Sequence, residues 1–323
     1  MDICIIICTY NRAAMLRESL YSFLRMQRPF DSTVRVLVVD NNSNDETGAI
    51  GQEFCRRAPE LFRYLREPVQ GLSSARNSGI RASEADLIAF VDDDVYFDEG
   101  WLLEILDAFR ATGAMCVGGR SIPHFEAGKP SWISTELLAL YGATNSGDAV
   151  KQMKFPEHPF GLNMAFRREV FARVGQFNTS LGRIKSSLLS NEEVELFFRI
   201  DRANLPVFYT PSAIVYHRIS APRSRKSWVL KRSYFQGISD TALTHIVNRV
   251  SLRKSLRGIA GKSRWVVKLL YLTMVARVMR SDDDGTNFGR LALICYAVGT
   301  LVRSIAEVPY LERSGVARDA GGN

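Results

Sequence analysis

Leu87-Ile88-Ala89-Phe90-Val91-Asp92-Asp93-Asp94 is the stretch on which the reading of this chain turns. Five bulky or β-branched apolar residues follow the polar stretch 81–86, a pattern that predicts a short buried strand. The strand ends in three adjacent carboxylates. Like charges set side by side repel one another unless a cation arrives, and divalent metals with oxygen ligands are the usual remedy. Side chains alternate along a strand, so Asp92 and Asp94 are expected to share one side. A solvated turn is the plain alternative, because aspartate is a common turn former.

Outward from this stretch, strand and helix patterns alternate. Residues 3–8, 34–39, 62–65 and 115–117 read as short strands. Residues 13–26, 47–57, 72–82 and 99–111 carry apolar side chains at helical spacing. Such alternation predicts an α/β fold with a mainly parallel sheet flanked by helices, and ligands bind beyond the carboxyl ends of its strands. Polar clusters stand at three of those ends: Thr9-Tyr10-Asn11-Arg12, Asp40-Asn41-Asn42-Ser43 and Asp92-Asp93-Asp94. The pattern loosens over 119–160. It returns as a strand at 161–166, helices at 168–174 and 192–203, and two strands at 207–209 and 213–216. Beyond residue 220 the chain reads as helical and basic.

The 323 residues are 46% hydrophobic and 24% charged, enough for one large or two fused globular domains. The net charge of +8 is unevenly spread. Residues 1–220 hold 24 basic and 27 acidic side chains, and residues 221–323 hold 18 and 7. Between 241 and 281 there are nine Lys or Arg and no Asp or Glu, which predicts a polyanionic partner. No secretory signal is expected, and no window reaches the ~20 uninterrupted apolar residues of a membrane span. Five cysteines without a C-x-x-C pair predict free thiols in the reducing cytoplasm.

Five segments, taken in order, resemble the family 2 glycosyltransferases of GT-A fold: Cys8-Thr9-Tyr10-Asn11-Arg12, the run from Val39 to Asp45, the run from Gly71 to Gly79 with its Ala75-Arg76-Asn77, Val91 to Asp94, and the run from Gly161 to Arg168. The resemblance runs from residue 3 to about residue 240. It implies inverting transfer of a sugar from a nucleotide-sugar donor with Mg²⁺ or Mn²⁺ bound. It implies that residues 1–120 bind the donor, that 121–220 carry the acceptor site and the base, and that 221–323 form a basic helical extension. By the same resemblance Thr9, Tyr10, Arg12, Asp40, Arg76, Asn77, Asp92 and Asp93 bind the nucleotide sugar. Asp40 suits a uracil because a carboxylate accepts the imide N–H, which points to a UDP-sugar, although thymine offers the same donor. Asp94 and Asp92 would bind the metal, with His217 as a further ligand. Glu193 matches the general base and Glu192 is the alternative, with Asn191 standing where glycine is usual. First-turn acids also complement a helix dipole, so the pair has a structural explanation too. Arg218, Arg223, Arg225 and Lys226 are candidates to neutralise a diphosphate or to form a solvated loop. The Q-x-x-R-W signature of processive synthases is missing, which favours addition of single sugars to a glycan or lipid-linked acceptor in bacterial surface polysaccharide or glycolipid assembly.

Were 252–269 one helix, Arg253, Arg257, Arg264 and Lys268 would form a stripe, with Trp265, Val266, Leu269, Leu270 and Leu272 supplying apolar surface. Gly258 and Gly261 argue against an unbroken helix. The combination suits peripheral contact with an anionic inner leaflet, and packing on the catalytic domain is the alternative. Rival functions call for other residues. A sugar nucleotidyltransferase carries a glycine-rich loop after its first strand, and residues 9–15 have no glycine. A non-catalytic nucleotide-sugar or polyanion-binding protein has no need of the aspartate triplet and the acid pair, and nucleic acid is not the expected partner.

Overall fold

A computed structural model describes residues 1–144, 146–185, 187–248, 252–279 and 284–313. The first 112 residues form β1 (Ile3–Thr9), α1 (Ala13–Leu24), β2 (Val34–Asp40), α2 (Thr47–Arg57), β3 (Phe62–Arg66), α3 (Leu72–Ala82), β4 (Leu87–Asp92), β5 (Val95–Phe97) and α4 (Trp101–Thr112). Then follow β6 (Cys116–Phe125), β7 (Lys151–Met153), β8 (Asn163–Arg167), α5 (Glu169–Val174), α6 (Glu192–Arg202) and β9 (Val207–Ile219). The chain ends in α7 (Lys226–Asn248), α8 (Leu252–Met279) and α9 (Asp284–Arg313).

One sheet runs in the order β3-β2-β1-β4-β8-β6-β9-β5, with β7 on β9. Its first four strands are parallel and the remainder is mixed, β8 lying antiparallel to both β4 and β6. Chain order reverses between β1 and β4, and this is where the carboxyl ends of such sheets receive ligands. Register supplies the rest. Thr9 pairs with Asp40 across β1 and β2, and Cys8 with Asp92 across β1 and β4, so the three polar clusters share one edge. Residues 87–91 are fully buried between two apolar layers. Ile5, Leu20 and Phe54 are among the residues beneath one face, and Ile6, Phe166 and Leu196 beneath the other.

Two expected features differ. The loosened stretch begins later than expected, because β6 continues to Phe125 through Pro123. Past Gly118 β6 is paired only with β9, and an edge tolerates proline. The two late strands are one, β9, whose register jumps opposite Gly119 and Arg120 and so absorbs Pro211. A Cβ on Gly119 would collide with the Ala213 carbonyl and the Asn163 amide. Asn163 holds this junction: its Nδ2 donates to the Arg120 and Ala213 carbonyls at 2.9 Å, and its Oδ1 accepts from Trp101 Nε1 at 2.9 Å.

The chain divides into two compact units, Met1–Glu126 with Tyr141–Lys185 and Glu192–Ile219, and Ala127–Leu140 with Ser186–Asn191 and Ser220–Asn323. In the second unit α7 crosses α9 at backbone contact, since a Cβ on Gly237 would strike the Tyr296 carbonyl and one on Gly299 that of Tyr234. Helix α8 runs unbroken through Gly258 and Gly261. Each glycine costs about 1 kcal/mol in a helix interior, and packing along α9 offsets that cost. Among the described residues one helical stretch, Phe288–Pro309 of α9, is long and apolar enough to cross a membrane by length and composition, with 33% of its most apolar part buried.

Candidate active site

β4 ends at Asp92, and Asp93-Asp94 turn into β5. Strand alternation stops there, and two arginines divide the triplet. Arg12 Nη1 reaches Asp93 Oδ1 at 2.8 Å and Asp94 Oδ2 at 2.7 Å. Arg76 Nη2 lies 3.9 Å from Asp92 Oδ1, while its Nη1 is 2.8 Å from Glu192 Oε1 and its Nη2 donates to the Gly161 carbonyl at 3.2 Å. Arg76 is 3% exposed and sits over the Phe90 and Phe177 rings.

Burial pushes the Asp93 carboxyl up, Arg12 pulls it back, and Asp94 adds to the rise. Arg12 is held still more firmly in its charged form by Asp93 and Asp94. Burial takes Glu192 up to about 7, with Glu193 adding to the rise and Arg76 opposing it. Glu193, its neighbour in the first turn of α6, is half-buried.

β5 pairs antiparallel with β9, Val95 opposite His217, which brings His217 Nε2 to 3.4 Å from Asp94 Oδ1. The Tyr141 carbonyl can only accept, so His217 Nδ1 carries the proton of their hydrogen bond. In the neutral ring Nε2 then presents a lone pair to a carboxylate oxygen, an arrangement that suits a shared cation. Among the described residues no three His, Cys, Asp or Glu side chains gather as a ready metal cluster. Asp94 and His217 nevertheless fit Mg²⁺ or Mn²⁺, ions that are commonly bound by few protein ligands together with substrate phosphates.

Asp40 is buried at the end of β2, where Tyr64 Oη donates to Oδ2 at 2.7 Å and the Ser43 amide to Oδ1 at 2.8 Å. Each carboxylate oxygen retains room for a second donor. Thr9 is buried beside it, and Tyr10 is half-buried. The Asn77 amide pairs with the Phe177 backbone, Nδ2 donating to the carbonyl and Oδ1 accepting from the amide, both at 2.9 Å. Arg218 is 2.9 Å from Glu18 and 2.7 Å from Glu126. Arg223 lies over Trp228, and Lys226 over Phe288 and Trp132.

Several positioning residues escape sequence reasoning. Asn41 holds the loop before α3, its Nδ2 donating to the Val69 carbonyl and its Oδ1 accepting from the Gly71 amide, both at 2.7 Å. Tyr64 reaches Asp40 only because β3 lies beside β2, which the strand order decides. Asn191 has a φ of 78°, a conformation natural to glycine and tolerated by asparagine. That explains its place where glycine is usual. Within the second unit its Nδ2 donates to Asp240 Oδ1 at 2.7 Å, and Gln236 Nε2 donates both to Asn191 Oδ1 at 3.1 Å and to Asp240 Oδ1 at 2.7 Å.

Against known proteins, the family model described as "Glycosyl transferase family 2" matches residues 4–175. The glucosyl-dolichyl phosphate glucuronosyltransferase of Haloferax volcanii is 27% identical over 288 residues, 88% of each chain. Glycosyltransferase AglE of the same organism is 33% identical over 253 residues, 77% of this chain and 76% of its own. A solved mannosyltransferase from Pyrobaculum calidifontis, in complex with GDP-Man and Mn²⁺, superposes with a TM-score of 0.55 at 17% identity, over 99% of this chain and 76% of its own.

Proposed function

This chain belongs to glycosyl transferase family 2 and moves a sugar from a nucleotide sugar, and from that premise we propose an inverting, metal-assisted transfer to a hydroxyl of a glycan or lipid-linked acceptor. One observation carries the proposal: the aspartate triplet is shared between Arg12 and Arg76, and Arg76 ties it to the Glu192–Glu193 pair. Engagement of Glu192 by Arg76 supports Glu193 as the general base. Glu193 takes the proton of the acceptor hydroxyl as that oxygen bonds to the anomeric carbon. The bond from that carbon to the diphosphate breaks on the opposite face, and the configuration inverts.

Asp94 and His217 would hold Mg²⁺ or Mn²⁺, which when bound neutralises charge on the leaving diphosphate. Mn²⁺ in the mannosyltransferase structure supports a divalent ion here. Thr9, Tyr10 and Asp40 receive the base, with UDP favoured by the imide N–H that Asp40 can accept. Arg12 and Arg76, the two cations beside the triplet, support a role for this end of the sheet in holding the diphosphate. Residues 1–120 thus serve the donor, and 121–220 the acceptor and the base. The glucuronosyltransferase relative, which by its name acts on glucosyl-dolichyl phosphate, supports a lipid-phosphate-linked acceptor and work at the inner face of the cytoplasmic membrane.

The test is a thermal-shift screen of UDP, GDP, dTDP and CDP with and without Mn²⁺, on wild type and Asp94→Ala. A ligand that binds only the folded chain raises its Tm. One nucleotide is expected to stabilise the wild type in the presence of metal and to lose that effect in Asp94→Ala. No shift with any nucleotide, in folded protein, refutes the donor site. Glu193→Gln is expected to keep the nucleotide shift while transfer falls by about 10²–10⁴-fold.

A further inference from the structure

The second unit exposes an ordered apolar face that the transfer chemistry does not use. The inner side of α8 is fixed by its contacts with α9: Lys262 Nζ donates to Ser304 Oγ at 2.6 Å, and Trp265 meets the Tyr296 ring edge-on at 6.3 Å. Ser255 is buried, and Val266 and Leu269 are half-buried. Trp265, Val266 and Leu269 therefore do not form the outward apolar surface that the sequence suggests. Leu270, which the sequence also names, forms it with Leu256, Val267, Tyr271 and Met274, all five more than half exposed, and Leu272 is 44% exposed. The spacing of the five confines them to an arc of about 100° on a helix of 3.6 residues per turn. On α9, Leu291, Val302 and Ile305 repeat the spacing of Leu256, Val267 and Leu270 and are likewise exposed.

Beside the α8 stripe runs a second one. Lys254, Arg257, Arg264 and Lys268 are exposed and fall within about 80° of arc, adjoining the apolar row. No acid lies anywhere between 241 and 281. The Arg253 side chain, which the sequence adds to this row, lies outside the described residues.

We propose that this face of α8 and α9 docks on the surface of an anionic lipid bilayer. Leu256, Val267, Leu270, Tyr271 and Met274 enter the boundary between headgroups and acyl chains, and Lys254, Arg257, Arg264 and Lys268 rest on lipid phosphates. Charge selects this occupant. A second copy packed antiparallel on the apolar row would bring two cationic rows together, and one packed parallel would leave both rows without an acidic counterpart, since 241–281 holds no acid. Passage of α9 through the bilayer would take Arg290 and Arg303 into it and strip away the contact with α7 at Gly237 and Gly299. The proposal does not depend on the glycosyltransferase reading, and its test does not use activity.

Flotation of the full chain is measured with vesicles of phosphatidylcholine alone, and of phosphatidylcholine with roughly a third phosphatidylglycerol. The protein is expected to float with the anionic vesicles and to release as salt rises. Each basic residue near an anionic surface is worth about five-fold in partitioning, so the Lys254→Gln, Arg257→Gln, Arg264→Gln, Lys268→Gln combination is expected to lose on the order of several hundred-fold. Val267→Glu alone, on an exposed site where the fold has little to lose, is expected to abolish flotation at unchanged Tm. A wild type that stays at the bottom with anionic vesicles overturns the proposal. So does flotation that ignores both lipid charge and the four Gln substitutions, which would mean insertion of α9. A dimer that Val267→Glu dissociates, without flotation of the wild type, assigns the face to a second copy and also overturns it.

Discussion

Arg12 and Arg76 each hold two acids that would repel one another in their absence, and the consequences can be separated by substitution. Arg12→Ala leaves Asp93 and Asp94 buried together without their cation. Stability is expected to fall by about 2 kcal/mol, less than for a fully buried pair because Arg12 is partly open to solvent. The gain in Tm from Mn²⁺ alone is expected to exceed that of the wild type, since the metal then meets no competitor for Asp94; an equal gain in both proteins would refute this. Glu192 shows the other side of the same balance. Its carboxyl lies at about 7 in the fold against an ordinary 4.5. Between those values the folded chain keeps a proton that the unfolded chain releases. The contribution therefore favours folding at acid pH and is lost as pH rises through about 7. Denaturant titrations at pH 5 and pH 8 are expected to show the wild type losing on the order of 2 kcal/mol relative to Glu192→Gln over that interval, and parallel behaviour would refute the shift.

The α6 start has a property that neither of its glutamates explains. Asn191 carries the left-handed backbone that turns the chain into Glu192 and Glu193, and Asp240 and Gln236 of α7 hold its amide. Asn191→Gly keeps the backbone and is expected to retain most activity, whereas Asn191→Val is expected to lose about 1–3 kcal/mol of stability at a φ that a β-branched residue avoids. Asp240→Ala is expected to lower kcat with little change in the donor KM, and Asp240→Asn to recover part of the loss. Equal effects on kcat and KM would argue against a positioning role. Sequence reading stops at this scale. The strand at 87–91 and the clusters after β1, β2 and β4 are legible because buried runs and polar strand ends are local signals. Nothing local says that Arg12 faces Asp94, that Tyr64 serves Asp40, or that Asn191 is held by a residue 49 positions on. Those pairings depend on strand order and helix packing. Pro123 and Pro211 misled for the same reason, since a proline breaks no strand where it faces an unpaired edge, as Pro123 does, or falls in a register jump, as Pro211 does. Gly258 and Gly261 misled because α9 is available to offset their cost.

Over the molecule as a whole, charge and packing follow different partitions of the chain. Acids and bases nearly balance up to residue 220, and bases prevail beyond it, whereas the compact second unit also takes in Ala127–Leu140 and Ser186–Asn191. Within that unit α7 and α9 meet at backbone contact. Gly237→Val forces α7 from α9 and is expected to cost at least about 2 kcal/mol, seen as faster amide exchange through both helices, with native exchange as the refuting result. The sheet imposes a constraint of another kind. His217 stands opposite Val95 on one side of β9 and opposite Pro123 on the other. A missing or extra codon between those for Ile214 and His217 would rotate the imidazole to the far face of the sheet, out of reach of Asp94, even if every remaining residue were kept. Lineages of this chain can therefore vary the letters of that stretch but not its count, and a deletion scan should find survivors on either side of it and none within.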